Sequence, residues 1–167
     1  MHQPDIKVHV KDDLSLEELV YNRLHTHDIK SLKLDIDLEM RTFAVTRMWM
    51  THHLGGGPQS MVSRIAPEKC AKHGYDHFVF VNLLYHPDAP KRPGVAGLMY
   101  GVEGATGFKK IPPVARVFVN VVDKKWLYMG NYRVEEVQHL TLAEWQNVPL
   151  KVRTDPGSTD VRDRSIL

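Results

Sequence analysis

"VARVFVNVVDKKWLYMGNYRVEEV", residues 114–137, decides how this chain is read. Val114–Val122 and the run that begins at Trp126 are rich in β-branched and aromatic residues, and Asp123–Lys125 breaks them with polar side chains. That is the pattern of two antiparallel strands joined by a short turn. In the second strand Trp126, Tyr128 and Tyr132 fall at even spacing, so a regular strand presents them on one face with Gly130 leaving a gap. Such a row stacks bases, fills a small barrel or grips a peptide. Lys124, Lys125 and Arg133 flank it, and Arg116 stands on the neighbouring strand.

Outward from the hairpin, "DHFVFVNLLY" (residues 76–85) reads as a strand buried on both faces, being apolar without alternation. "SLKLDIDLE" (31–39) gives the clearest alternation, with Leu32, Leu34, Ile36 and Leu38 against Lys33, Asp35, Asp37 and Glu39, and predicts a half-buried strand. Ser15 with Glu18 forms a capping box ahead of a helix over about 16–24. Thr46 caps one or two helical turns that end by Gly55, and "APEKCAKHG" (66–74) predicts a helix with Pro67 in its first turn and Gly74 as its left-handed stop. Thr141 and Glu144 make a second capping box, before a short helix that carries Trp145. "HPDAPKRPGVAG" (86–97) holds three prolines and two glycines, so it is a stiff, non-helical loop, and ordered loops of this length are often functional.

The expected fold is therefore α+β, a small, twisted, partly closed, mostly antiparallel sheet with short flanking helices. Residues 1–150 are expected to form a single globular domain with 1–13 loose, and 151–167 a polar tail. A chain of 167 residues, 43% hydrophobic and 25% charged, suits one such domain. Its start lacks the basic-then-apolar pattern of a signal peptide and no stretch is apolar for the ~18 residues of a membrane span, so the expectation is a soluble, intracellular protein of nucleus or cytoplasm. Cys70 is the only cysteine, which excludes an intramolecular disulfide and four-cysteine zinc sites.

The net charge of +2 is unevenly spread. Residues 1–40 carry −4, 41–90 carry +2, 91–133 carry +6 and 134–167 carry −2. The basic block holds Lys91, Arg92, Lys109, Lys110, Arg116, Lys124, Lys125 and Arg133, and a local field of this sign steers anionic partners. A solvated, lysine-rich hairpin surface has the same composition.

"LLYHPDAPKRPGVAGLMYG", "KWLYMGNYRV" and "LTLAEWQNVP" together resemble a family of uncharacterised domains widespread in mushroom-forming fungi, over roughly residues 40–150. The resemblance implies company rather than an activity. "KRPGVAGLMYG" and "YMGNYRVEEV" also resemble, more weakly, a loop and a strand of SRA domains, PUA-like barrels that hold a flipped modified cytosine. That likeness implies a nucleic-acid ligand and a barrel.

Enzymatic signatures are sparse. The pairs His25/His27, His52/His53 and His73/His77 have no HExxH spacing, "HHLGGGPQS" lacks the Lys–Ser/Thr ending of a phosphate loop, and there is no Gly–x–Ser–x–Gly. Cys70 lies near Lys72 and His73, which would activate a thiol, yet a structural cysteine has the same sequence context. No cofactor and no metal are expected. The expected function is a non-catalytic nucleic-acid-binding module, a modified-base reader among its forms, binding DNA or RNA through Lys91, Arg92, Lys109, Lys110, Arg116, Lys124, Lys125, Trp126, Tyr128, Tyr132 and Arg133 on the hairpin and the Pro/Gly loop. The alternative is a protein-interaction or self-association module, with a protein partner or a second copy on the same face.

Overall fold

The computed structural model describes residues 18–100 and 111–153. Along the chain run α1 (Glu18–Thr26), α2 (Leu38–Thr42), β1 (Ala44–Val45), α3 (Arg47–His53), β2 (Val62–Arg64), α4 (Pro67–His73), β3 (His77–Asn82), β4 (Val114–Val122), β5 (Lys125–Arg133), α5 (Leu142–Asn147) and α6 (Leu150–Arg153). The predicted hairpin is β4–β5, turning at Asp123–Lys124, where Lys124 takes a positive φ of 57°. Beside it β3 pairs in parallel with β4, so both central strands are buried on both faces, as the unbroken run 78–81 requires. Parallel neighbours need a crossover, which falls between Asn82 and Val114.

The sheet order is β1-β5-β4-β3-β2, three antiparallel pairings and one parallel. It is an open α+β sheet. The expected partial closure, and with it the PUA- or SRA-like barrel, is corrected: among the described residues the edges β1 and β2 are two and three residues long and do not pair with each other, so the sheet stays open.

Local signals placed the short helices. The Thr46 hydroxyl accepts from the Trp49 N–H at the start of α3, Gly74 closes α4 at φ 76°, and Thr141 and Glu144 form a reciprocal capping box on α5. The predicted strand over 31–39 is a second correction. Residues 29–37 form no regular element and α2 begins at Leu38, leaving Leu32 68% and Leu38 76% exposed. Alternation supplies a face, but a strand needs a neighbour, and the only backbone bond this stretch makes to another segment among the described residues is Leu32 N–H to the Gly94 carbonyl. At the end of the described residues α6 occupies Leu150–Arg153, and Val152 is buried in the cluster that holds Trp145 and Val148.

Three apolar clusters stack through the molecule. Phe78, Phe80 and Phe118 meet Val45, Met50 and Ile65 on the sheet face covered by α3 and α4. Val79, Val81, Val117, Val119, Leu127 and Met129 fill the opposite face beneath Ala89 and Met99 of the Pro/Gly loop. Outside that loop Ala96, Leu98 and Tyr100 meet α1, α5 and α6. The loop is therefore an interior layer, sending alternate residues to the two sides. Its shape is fixed by close approach: a Cβ on Gly97 would fall 2.5 Å from the Pro90 nitrogen and 2.7 Å from the Asp88 carbonyl, and the Tyr100 hydroxyl donates to the Asp88 carboxylate.

Candidate functional site

The even spacing of Trp126, Tyr128 and Tyr132 does not survive in the fold. Val117 pairs with Gly130 while Phe118 pairs with Tyr128, so Met129 is an extra residue in β5 and Gly130, at φ 114°, carries the bulge. One inserted residue turns every later side chain to the other face. Tyr132 thus packs into the Val117–Leu127 cluster under the Pro/Gly loop and donates its hydroxyl to the Val95 carbonyl at 3.0 Å. Burial pushes its phenol up to about 12, against a weaker lowering by the loop backbone at Gly94.

Trp126 stays on the α3 face but is already occupied. Its ring meets Phe80 edge-on at 5.3 Å, and the Arg47 guanidinium lies 3.4 Å from the Phe80 centroid and 5.5 Å from that of Trp126. Arg47 is held there by bonds to the Gly57 and Ser60 carbonyls, and burial lowers it to about 10. This cluster fastens the glycine loop to the sheet.

Tyr128 alone of the three faces an opening. With Phe43, Trp49 and Tyr75 it rims a cleft of about 240 Å³ whose floor is Val45, Met50, Leu54, Phe78 and Phe118. The four rim rings are half exposed, 54% for Phe43, 37% for Trp49, 40% for Tyr75 and 43% for Tyr128. They arrive from four places: the start of β1, α3, the turn after α4, and β5. Three of them have a second ring or a hydrogen bond behind them. Trp49 rests on His53 at 4.6 Å and Tyr75 on His73 at 5.1 Å; Tyr128 lies 5.0 Å from Phe118 and donates to Asn131. His73 in turn bonds the Leu54 carbonyl, so the Tyr75 wall is tied to the end of α3.

Arg116 stands where this apolar cleft meets a second, polar cavity, lined with it by Asp76, His77, Val114 and Asn131. Its Nη1 reaches Asp76 at 3.0 Å, and its guanidinium lies 5.1 Å from the Tyr75 ring. Burial works to raise the Asp76 carboxyl, but its own backbone bond, His77 at 2.7 Å and Arg116 together hold it below the usual carboxylate range. Burial raises the Tyr128 phenol, and Arg116 opposes that shift. The geometry is a rigid aromatic slot with one hydrogen-bonding end, suited to a flat group that carries polar atoms at its edge.

Among the described residues the remaining predicted cations do not converge on it. Lys124 and Lys125 sit at the hairpin turn, roughly 20 Å along the strands from Arg116 at ~3.3 Å per residue. Arg133 is exposed at the other end of β5 near Glu135, and Lys91 and Arg92 are half-buried in the loop layer. Lys109 and Lys110 lie outside the described residues. The apolar residues of the Pro/Gly loop close two clusters. Sequence reasoning missed Phe43, Trp49 and Tyr75; the one signal for Trp49 was its position beside Met50 in a capped helix, where only one of two neighbours turns inward. Among the described residues no group of three His, Cys, Asp or Glu side chains is placed to hold a metal, and no helix is long and apolar enough to cross a membrane.

A family described as a domain of unknown function, DUF6697, matches residues 44–163. The chain belongs to this family. The DUF6697 span begins at β1 and so includes the whole sheet, Trp49, Tyr75, Arg116 and Tyr128, while Phe43 and α1 precede it. No curated protein and no solved structure matches the chain.

Proposed function

We propose that this domain is a non-catalytic nucleic-acid-binding module that takes one unstacked base of a single strand into the aromatic cleft, with Arg116 meeting the base edge or the adjoining phosphate. The convergence of four half-exposed rings on one small cleft carries the reading. At about 240 Å³ the space falls below the range of ~300–1,000 Å³ usual for small-molecule pockets and suits a single ring system. Bases are free to enter such a slot in single strands, where stacking on an aromatic contributes ~1–3 kcal/mol each. Lys124 and Lys125 are then phosphate contacts farther along a bound strand, in a protein of nucleus or cytoplasm. The mushroom-type fungal setting belongs to the same proposal.

One observation favours a second reading. Arg116 is already paired with Asp76, so the cleft is close to neutral, and an aromatic-walled neutral groove also accepts a proline or aromatic side chain of a peptide. Salt separates the two. Fluorescence anisotropy with labelled single- and double-stranded DNA and RNA should show single-strand binding that weakens steeply as salt rises, because neutralised phosphates release counterions. Absence of binding to every oligonucleotide at low salt rejects the nucleic-acid reading.

A further inference from the structure

Residues 31–37 have the sequence of a strand but form no regular element. Leu32 and Leu34 are exposed, and Ile36 is half-buried. One side of the segment is fixed: Leu32 N–H donates to the Gly94 carbonyl at 2.7 Å, Ser31 Oγ accepts from Ala96 N–H, and Arg41 donates to the Leu34 carbonyl. A Cβ on Gly94 would fall 2.6 Å from the Leu32 carbonyl and 2.7 Å from Leu34 Cγ, so the segment is pressed against the rigid loop layer. Among the described residues the N–H groups of Lys33 and Asp35, which in an extended chain point away from the edge that Leu32 N–H turns to the loop, make no backbone bond. An alternating segment with free backbone donors is a template for another strand.

We infer that this segment pairs, antiparallel and about a twofold axis at Leu34, with the same segment of a second copy of the chain. Charge selects both the occupant and the register. Centred on Leu34, the pairing sets Lys33 opposite Asp35 twice, Leu32 opposite Ile36 twice, and Leu34 opposite itself. Centred on Asp35 it opposes two carboxylates, centred on Ile36 it opposes Asp35 to Asp37 twice, and a parallel in-register pair stacks every like charge. Of these only the Leu34 register avoids a like-charge pair; the Asp35 register also sets Lys33 against Asp37 and Leu34 against Ile36, but at the cost of the opposed carboxylates. The pairing is independent of the aromatic cleft and of any nucleic acid.

The test is sedimentation equilibrium of the whole chain from roughly micromolar to millimolar concentration, the range in which a small, transient interface dissociates. A monomer–dimer equilibrium is expected. Lys33→Asp should weaken it at least ~10-fold, and the double variant Lys33→Asp with Asp35→Lys should return it to within ~3-fold of the parent, because the opposed pairs are restored. For register, Leu34→Cys in a Cys70→Ser chain should form a disulfide-linked dimer under mild oxidation, since directly opposed Cα atoms lie ~4.5–5.5 Å apart, while Lys33→Cys should not. A monomer across the range overturns the proposal, as does a dimer indifferent to Lys33→Asp. Protection of the Lys33 and Asp35 amides in a chain that stays monomeric would assign the edge to a different strand and overturns it equally.

Discussion

Trp126→Ala separates a core residue from a stacking platform. Full burial makes a tryptophan-to-alanine change cost ~3–5 kcal/mol, and a half-buried ring takes the lower end of that range. Trp126 is half-buried, gives Phe80 an edge-on partner at 5.3 Å, and forms one of the two ring faces near Arg47. The expected loss is about 3 kcal/mol, which for a domain of this size lowers Tm by roughly 6–12 °C. Tyr128→Ala removes a 43% exposed ring with one hydroxyl bond to Asn131 and should cost only about 1 kcal/mol. Urea unfolding of the two variants, followed by far-ultraviolet circular dichroism with the slope compared to the parent, gives both values. A Trp126→Ala protein that melts within about 2 °C of the parent, or a Tyr128→Ala protein that does not fold, would refute the reading of which ring supports the sheet and which rims the cleft.

Gly97→Ala sets a methyl against the Pro90 nitrogen and the Asp88 carbonyl and should cost about 1–3 kcal/mol in urea unfolding, with little change expected if the loop were a loose surface connection. Glu144 fixes a pH dependence: burial raises its carboxyl, but the Arg23 hydrogen bond at 2.8 Å and the Thr141 backbone and hydroxyl bonds prevail and hold it below the ordinary 4.5. Its contribution is therefore complete above the unfolded value and is lost as pH falls through the lower native one, so the stability gap between the parent and Glu144→Gln should narrow on acidification through that window. Tyr132 gives the opposite sign at alkaline pH. Its phenol is raised to about 12, so the stability it contributes is present below the unfolded value of 10.0 and is lost as pH rises through the native one; Tyr132→Phe should remove that alkaline loss in thermal melts taken across the range.

Elements whose signals are local were legible in the sequence. The β4–β5 turn, the buried run of β3, the Thr46 and Thr141 caps and the Gly74 stop each depend on a few neighbouring residues, and each lies where the sequence puts it. What failed depends on distant pairing. Counting by twos along β5 assumes a regular ladder, and Met129 breaks it because the register is set jointly with β4. The alternation of 31–39 specified a face without specifying a neighbour. The barrel failed for the same reason: closure needs long edges, and among the described residues the edges are 44–45 and 62–64. Of the cleft, Arg116 and Tyr128 were nameable because they stand on the hairpin. Phe43, Trp49 and Tyr75 reach it only through the pairing of β1 with β5 and the packing of α3 and α4 on the sheet, which no spacing in the chain encodes.

The most direct measurement of where a ligand lies is photo-crosslinking of a single-stranded oligonucleotide that carries a photoreactive base, with the modified peptides identified by mass spectrometry. Binding in the cleft predicts adducts on Phe43, Trp49, Tyr75 or Tyr128 that disappear when Trp49 and Tyr128 are both alanine. Adducts confined to Trp126 or the Lys124–Lys125 turn, unchanged in that double variant, would contradict it.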